Sequence, residues 1–426
     1  MRLPYLILIC FLGSLLFWGT GCDIAPPAPG NPDGDVYRPF VSSSRTSSGI
    51  DLEWGWLESG GNQQPQGQPA SEFRILLGKA YTDSLETIEI LSGDQFQYRL
   101  QGLEKGVPYK LQIESWVSDS NARKSPTISF VYQDIESKEI LPLSEQTDMR
   151  LGSWGSSSGY ICFETGDSLQ PSIGLAKWED EAIQIIGSGQ DPSLNSLKDF
   201  VAYETPLDSS AGALINAIQT IDVDNPLVSE SILGGDSHYQ QPTWSSDGEW
   251  MAYLFKGNDG HWGIYEYNPE DGALPQKITS GESQASFIEE SAIARPTWSA
   301  DRQFVAFEQF AEKEGVEQIH WRRDIFMAFR TNGELFPFVS SPWDDYAPSY
   351  SQSGSKIAFI SNRSGKAEIW LKDTNSRMET QLTGSPEYPV SNKYNKLSWS
   401  FDDQYILYTF QKENGQTGLC SVKVAN

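Results

Sequence analysis

Three groups of residues carry types and spacings that could support chemistry. Gly155-Ser156-Ser157-Ser158-Gly159 has the G-x-S-x-G form of a serine nucleophile, which works when a sharp strand-to-helix turn lifts the hydroxyl clear of a sheet. No helical periodicity follows it, and the segment aligns with a polar stretch at Ser245-Ser246-Asp247-Gly248, so a turn between two strands is expected. His238, His261 and His320 are the only imidazoles of the chain. Neutral imidazole is a common metal ligand, and three on one face would hold a divalent ion. The plainer alternative is three unrelated loop side chains. Cys162 and Cys420 fall in segments expected to be neighbours. They would be either a disulfide that pins the chain by restricting its unfolded state, or two small buried thiols. No residue pattern calls for an organic cofactor.

The elements that position these groups follow from composition and periodicity. A chain of 426 residues suggests two or three domains at about 150 residues each. With 57 acidic against 31 basic side chains the net charge is −26, which repels phosphate backbones and speaks against a nucleic-acid partner. Fourteen Trp, 37 Gly and 24 Pro suit many short strands joined by tight turns, so the fold class is all-β.

Residues 1–21 form a targeting segment. Leu6 to Trp18 is an apolar run shorter than the about 20 residues a bilayer span needs. It ends at Gly19-Thr20-Gly21-Cys22, small residues before a cysteine, which resembles the lipobox of bacterial lipoproteins. The resemblance implies cleavage before Cys22 and acylation of that residue, giving a stable membrane anchor from several chains. Residues 22–35, rich in Pro, Gly and Asp, would be a flexible tether.

From 36 to 133 the apolar residues alternate in short runs: Ile50, Leu52 and Trp54, then Phe73, Ile75 and Leu77, Phe96, Tyr98 and Leu100, Tyr109, Leu111 and Ile113, and Ile128, Phe130 and Tyr132. Period-two runs at this density predict an antiparallel sandwich with Trp54 in its core. Leu103 to Tyr109 resembles the corner of fibronectin type III domains, in which a tyrosine hydroxyl closes a loop onto backbone.

Residues 137–426 repeat. A large residue followed nine positions later by an aromatic recurs as Trp154/Phe163, Leu194/Tyr203, Trp244/Tyr253, Trp298/Phe307, Tyr350/Phe359 and Trp399/Tyr408, at intervals of about 50 residues. Each pair brackets a strand, a polar turn and a second strand, and two further strands follow. Four strands per unit predict a propeller of six four-stranded blades, which protects sheet edges by radial closure. The last unit has only three strands, so the run from Glu139 to Ser144 is expected to close it. Removal of the sandwich is expected to leave the ring folded. The stretch from Asp345 through Ile357, Asn362 and Ile369 to Thr383 is similar to the TolB-type propeller repeat. TolB carries an α/β domain ahead of its propeller, where this chain has a sandwich, so the resemblance implies the fold and not the Tol–Pal role.

Loops entering each first strand converge on the channel of such a ring. They offer Asp148, Arg150, Tyr239, Gln240, Arg295, Trp343, Asp345, Tyr346, Tyr394 and Lys396 as ligand-binding residues. Asp345 and Tyr346 belong to the repeat signature and would also brace adjacent blades. The function these features imply is a non-catalytic, lipid-anchored binding or scaffold protein of the bacterial cell envelope, with an envelope protein or glycan as partner. The alternative is a metal-dependent lyase or hydrolase acting on polysaccharide outside the cytoplasm. Replacing Cys22 by Ser is expected to release the protein from membranes or stall its processing. A variant that matures normally and still sediments with membranes in cell fractionation would refute the lipid anchor.

Overall fold

The computed structural model describes residues 39–424 apart from short internal stretches, chief among them 57–69, 140–147, 209–213, 281–292 and 314–319. The leader, Cys22, the tether and Ser156 to Ser158 lie outside the described residues. Among the described residues every regular element is a strand, and no helix is long and apolar enough to cross a membrane.

Eight strands come first: β1 (Pro39–Thr46), β2 (Gly49–Trp56), β3 (Glu72–Lys79), β4 (Glu86–Ser92), β5 (Gln97–Leu100), β6 (Pro108–Ser118), β7 (Asn121–Lys124) and β8 (Ile128–Val131). One sheet has the order β1-β2-β5, and the other runs β4-β3-β6-β8 with β7 on β6. Alternation buries every second side chain between them: Ile50, Leu52 and Trp54 face Phe73, Ile75, Leu111, Ile113 and Phe130 in one cluster. The Trp54 and Phe73 rings meet edge to face at 5.6 Å. Tyr109 sends its hydroxyl back to accept the Glu104 N–H at 3.0 Å.

The repeat units then form a propeller of four-stranded antiparallel blades. Each bracketed pair falls where the repeat puts it: Trp154, Leu194, Trp244, Trp298, Tyr350 and Trp399 end the first strands, and their aromatic mates are buried in the second. A fully buried aromatic of this kind contributes about 2–3 kcal/mol. The turn between them is fixed by one serine. Ser245 Oγ donates to Asp247 and accepts the Trp250 N–H at 3.0 Å, and Ser299 and Ser400 repeat this with Asp301 and Phe304 and with Asp402 and Tyr405. Two antiparallel strands, Met149–Trp154 and Tyr160–Thr165, flank the Gly155 to Gly159 segment, and Gly155 N–H donates to Tyr160 O at 2.7 Å.

Two expectations are corrected. Five blades, not six, stand as separate four-stranded sheets. The four strands of the fifth unit, from Asp345–Tyr350 to Glu379–Gln381, keep the same meander but continue through one parallel pair, Gln381 with Phe130, into β8 and on to β4 as a nine-stranded sheet. The physical reason is an edge. Glu379–Gln381 is a three-residue outer strand, and β8 covers its unpaired backbone. The N-terminal module shares a core with the ring: one buried cluster runs from Ile50 and Phe130 through Phe338 to Phe359 and Trp370. Ring closure does come from the N-terminal side. A ninth strand, β9 (Ser137–Glu139), pairs antiparallel with Thr417–Lys423 and completes the last blade, earlier in the chain than the Glu139 to Ser144 run.

Deleting residues 36–131 should therefore lower the melting temperature of the ring, because it bares the edge at Gln381 and the apolar surface at Phe338 and Trp370. A ring that melts unchanged by differential scanning calorimetry would show that the two modules are energetically separate.

Candidate functional site

The first strands line the central channel, a cavity of about 110 Å³ that runs from Asp191, Arg295 and Lys396 to the hairpin turns at Ser246, Ala300 and Gln352. The face at which first strands begin is the entry face here, and the opposite one is the turn face. In five units the first strand breaks register at one residue held at positive φ: Leu151 (52°), Asp191 (48°), Gln241 (53°), Arg295 (55°) and Ala347 (51°). A non-glycine residue in this region costs of order 1–3 kcal/mol, so something must hold it there. Each bulge turns its N–H onto a side chain of the preceding unit. Asp191 donates to Glu164 (3.2 Å), Gln241 to Glu204 (2.8 Å), Arg295 to the Gln241 amide oxygen (2.6 Å), Ala347 to Glu308 (2.8 Å), and Leu151 to Thr409 Oγ1 (3.0 Å).

The side chain at the bulge then points to the channel. In the second and fourth units these are Asp191 and Arg295, and they meet Lys396, which stands just ahead of the first strand of the sixth unit. The Asp191 carboxylate is ion-paired with Arg295, and Lys396 Nζ donates to Asp191 Oδ1 at 2.8 Å and to Pro192 O at 2.6 Å. Exposures of 6% for Asp191, 14% for Arg295 and 15% for Lys396 make this a near-dry junction across the axis. Burial works against ionising Asp191, but Arg295 and Lys396 outweigh it and hold the carboxyl below its ordinary value. Burial likewise opposes the Arg295 charge, and Asp191 and Glu308 overcome it.

Glu204 lies beside this junction and behaves differently. Burial first, and then the Asp191 charge, push it up to about 7, against the opposing hydrogen bonds from Gln190 Nε2 (2.8 Å) and the Gln241 N–H. Asn216 Nδ2 also donates to it, at 2.9 Å. The channel thus holds one carboxylate kept ionised, with a second beside it that burial and the first push upward.

Of the residues expected at the site, Arg295 and Lys396 converge, and the others do not reach the cavity. Asp148 Oδ1 accepts the Thr417 N–H at 3.0 Å and so ties the first unit to the last. Arg150 is buried, with Nε on Glu164 at 2.6 Å and its guanidinium 5.2 Å from the Tyr394 ring. Tyr394 is half-buried, as is Tyr239, which packs on Phe255 at 5.0 Å. Gln240 is also half-buried and pairs with Leu254. Trp343 is buried, Asp345 is fully buried against Arg363 (2.6 Å), and Tyr346 lies under the Arg323 guanidinium at 3.8 Å. All three pack as braces of the fifth unit.

His238, His261 and His320 all sit at the entry-face ends of their strands. His238 and His261 belong to the third unit and His320 begins a strand of the fourth. Among the described residues no three His, Cys, Asp or Glu side chains come together as metal ligands. Cys162 and Cys420 are free thiols, fully buried in separate core clusters, and burial pushes Cys162 up to about 12. The disulfide expected as one alternative is not formed.

Asp191 and Glu204 were not among the expected residues. The signal for Asp191 was present, since Asp191-Pro192 matches Gln241-Pro242, Arg295-Pro296 and Ala347-Pro348, but this unit ends its first strand in Leu194 rather than Trp. Glu204 shares its place after the buried aromatic with Glu164 and Glu308.

No protein-family model and no curated protein sequence matches the chain. Solved structures with a similar arrangement include TolB from Acinetobacter baumannii, at 13% identity and a TM-score of 0.40 over 83% of this chain and 82% of that one. A TolB-type protein from Agrobacterium tumefaciens gives 13% and 0.41 over 69% and 100%. An oligogalacturonate lyase in complex with manganese gives 11% and 0.44 over 70% and 93%. The propeller is defined by the strand pairing of this chain itself.

The raised Glu204 carboxyl has a consequence for stability. A folded-state value of about 7 against an ordinary 4.5 favours the folded state while the group is protonated, and that advantage is lost as pH rises from 4.5 through 7. The loss is on the order of 3 kcal/mol from this group. Glu204→Gln should flatten the decline in thermal stability across that window. An identical pH profile in variant and parent would assign Glu204 an ordinary carboxylate value.

Proposed function

We propose that this is a lipid-anchored binding protein of the bacterial cell envelope, acylated at Cys22, whose propeller holds an envelope protein or a glycan. In this proposal residues 36–133 form a fibronectin type III-like domain. The sheet orders β1-β2-β5 and β4-β3-β6-β8 support it, as does the Tyr109 hydroxyl on the Glu104 backbone. Residues 137–426 form the TolB-like ring, in which the strands of the fifth unit share their outer edge with β8.

One observation carries the preference for binding over catalysis. The channel of about 110 Å³ is well under the 300–1,000 Å³ of ordinary small-molecule sites, and its charged groups are engaged with one another across three units. A charge junction that joins blades holds a scaffold rigid. Partner contact then falls to the faces, where Tyr239, Gln240 and Tyr394 are half-exposed on the entry side. Tyrosines there suit either a protein hot spot or a sugar ring.

Photocrosslinking residues placed at Tyr239 and at Tyr394, activated in intact cells, should capture one defined envelope component. The same residue placed at Leu274, an exposed position at the turn-face end of the third unit, should not. Equal capture from all three positions, or cleavage of polysaccharide by the purified protein, would overturn the proposal.

A further inference from the structure

A second concavity, of about 240 Å³, lies on the turn face where the first unit meets the last. Its lining is Trp154, Trp178, Tyr405 and Phe401, completed by Gly159, Ser400 and Asp402. The Trp154 and Trp178 rings stand 4.3 Å apart, and Tyr405 lies 6.3 Å from the first and 5.9 Å from the second. Phe401 is 50% exposed at the tip of a hairpin turn, a position that needs no apolar side chain for folding. Asp402 is the one charged group in the lining. Its Oδ1 accepts the Ser400 hydroxyl at 2.7 Å and the Gln404 N–H at 3.2 Å, which fixes the carboxylate at the rim. The neighbouring cation Lys177 lies over the Tyr160 ring, at 5.0 Å, and is not part of the lining.

Aromatic faces carry negative potential, and a cation within about 6 Å of a ring centroid is attracted to them. Here several rings and one carboxylate share a small pocket whose lining, among the described residues, contains no basic side chain, on a chain of net charge −26. A sugar would also stack, and the Tyr405 hydroxyl and the two indole N–H groups can meet its hydroxyls. The rim carboxylate is what favours a cation, and the glucoside arm of the test decides between the two. We propose that the pocket binds an organic cation, an alkylammonium or guanidinium group carried by a free small molecule or by a basic side chain of a partner. This holds whether or not the protein resides in the envelope.

The test titrates the purified chain with choline, with acetyl-arginine amide, with 3,3-dimethylbutanol as the neutral isostere of choline, and with methyl glucoside. Indole N–H shifts in NMR spectra and tryptophan fluorescence report binding. At least one cation should bind saturably and about tenfold more tightly than the isostere, shifting the Trp178 indole resonance. Phe401→Ala and Asp402→Asn should each weaken that cation several-fold without lowering the melting temperature. The tighter of the two cations distinguishes a small-molecule ligand from a basic side chain. The proposal fails if the isostere or the glucoside binds as well as the cations. It fails equally if neither cation gives a saturable millimolar response, or if both variants bind like the parent.

Discussion

The ring depends on the hydrogen bond that a bulge N–H makes to the side chain of the unit before it. An antiparallel strand has no reason to visit positive φ, and five residues that do so together carry a cost of several kcal/mol. Each is over-determined by a carboxylate, an amide or a hydroxyl reaching across from the next sheet. A buried N–H left without a partner would itself cost about 1–3 kcal/mol, so the bulge and its acceptor are stable only together. This makes the contact between neighbouring blades directional, where packing alone would let them slide. It also explains why Glu164, Glu204 and Glu308 are tolerated at buried positions of the second strands.

Much of this was legible in the sequence. The aromatic pairs located every first and second strand, and the missing strand of the last unit called for a closing strand from the N-terminal side, which β9 supplies. The junction between modules was not legible. It rests on the Gln381 and Phe130 pair, and a non-local parallel contact leaves no pattern in either segment. The expectation of six separate blades failed for that reason, although all six repeat units lie where the spacing put them.

The site divides in the same way. Arg295 and Lys396 were expected to face a ligand and do face the channel, but their ligand is Asp191 of this same chain. Sequence can suggest that a charged side chain points inward, yet it cannot say what meets it, because the partner comes from a unit 104 residues away in the case of Arg295. Trp343 and Asp345 illustrate the converse. Large or charged residues in a loop before a strand look like recognition elements, and here Trp343 is buried and Asp345 is paired with Arg363 of its own unit.

The alternation of units has a further meaning for the two faces. Asp191, Arg295 and Lys396 come from the second, fourth and sixth units, whereas the odd units present Leu151, Gln241 and Ala347 at the same level. Three charged arms can meet on an axis where six would collide, so the alternation is what allows the junction to form. Once formed it divides the channel, leaving the entry-side residues no share in the cavity beneath. The two faces are thereby independent surfaces, one lined by half-buried tyrosines and the other by the aromatic pocket at the seam. A ring held rigid by directional contacts keeps both at fixed positions, and engaging one face need not deform the other.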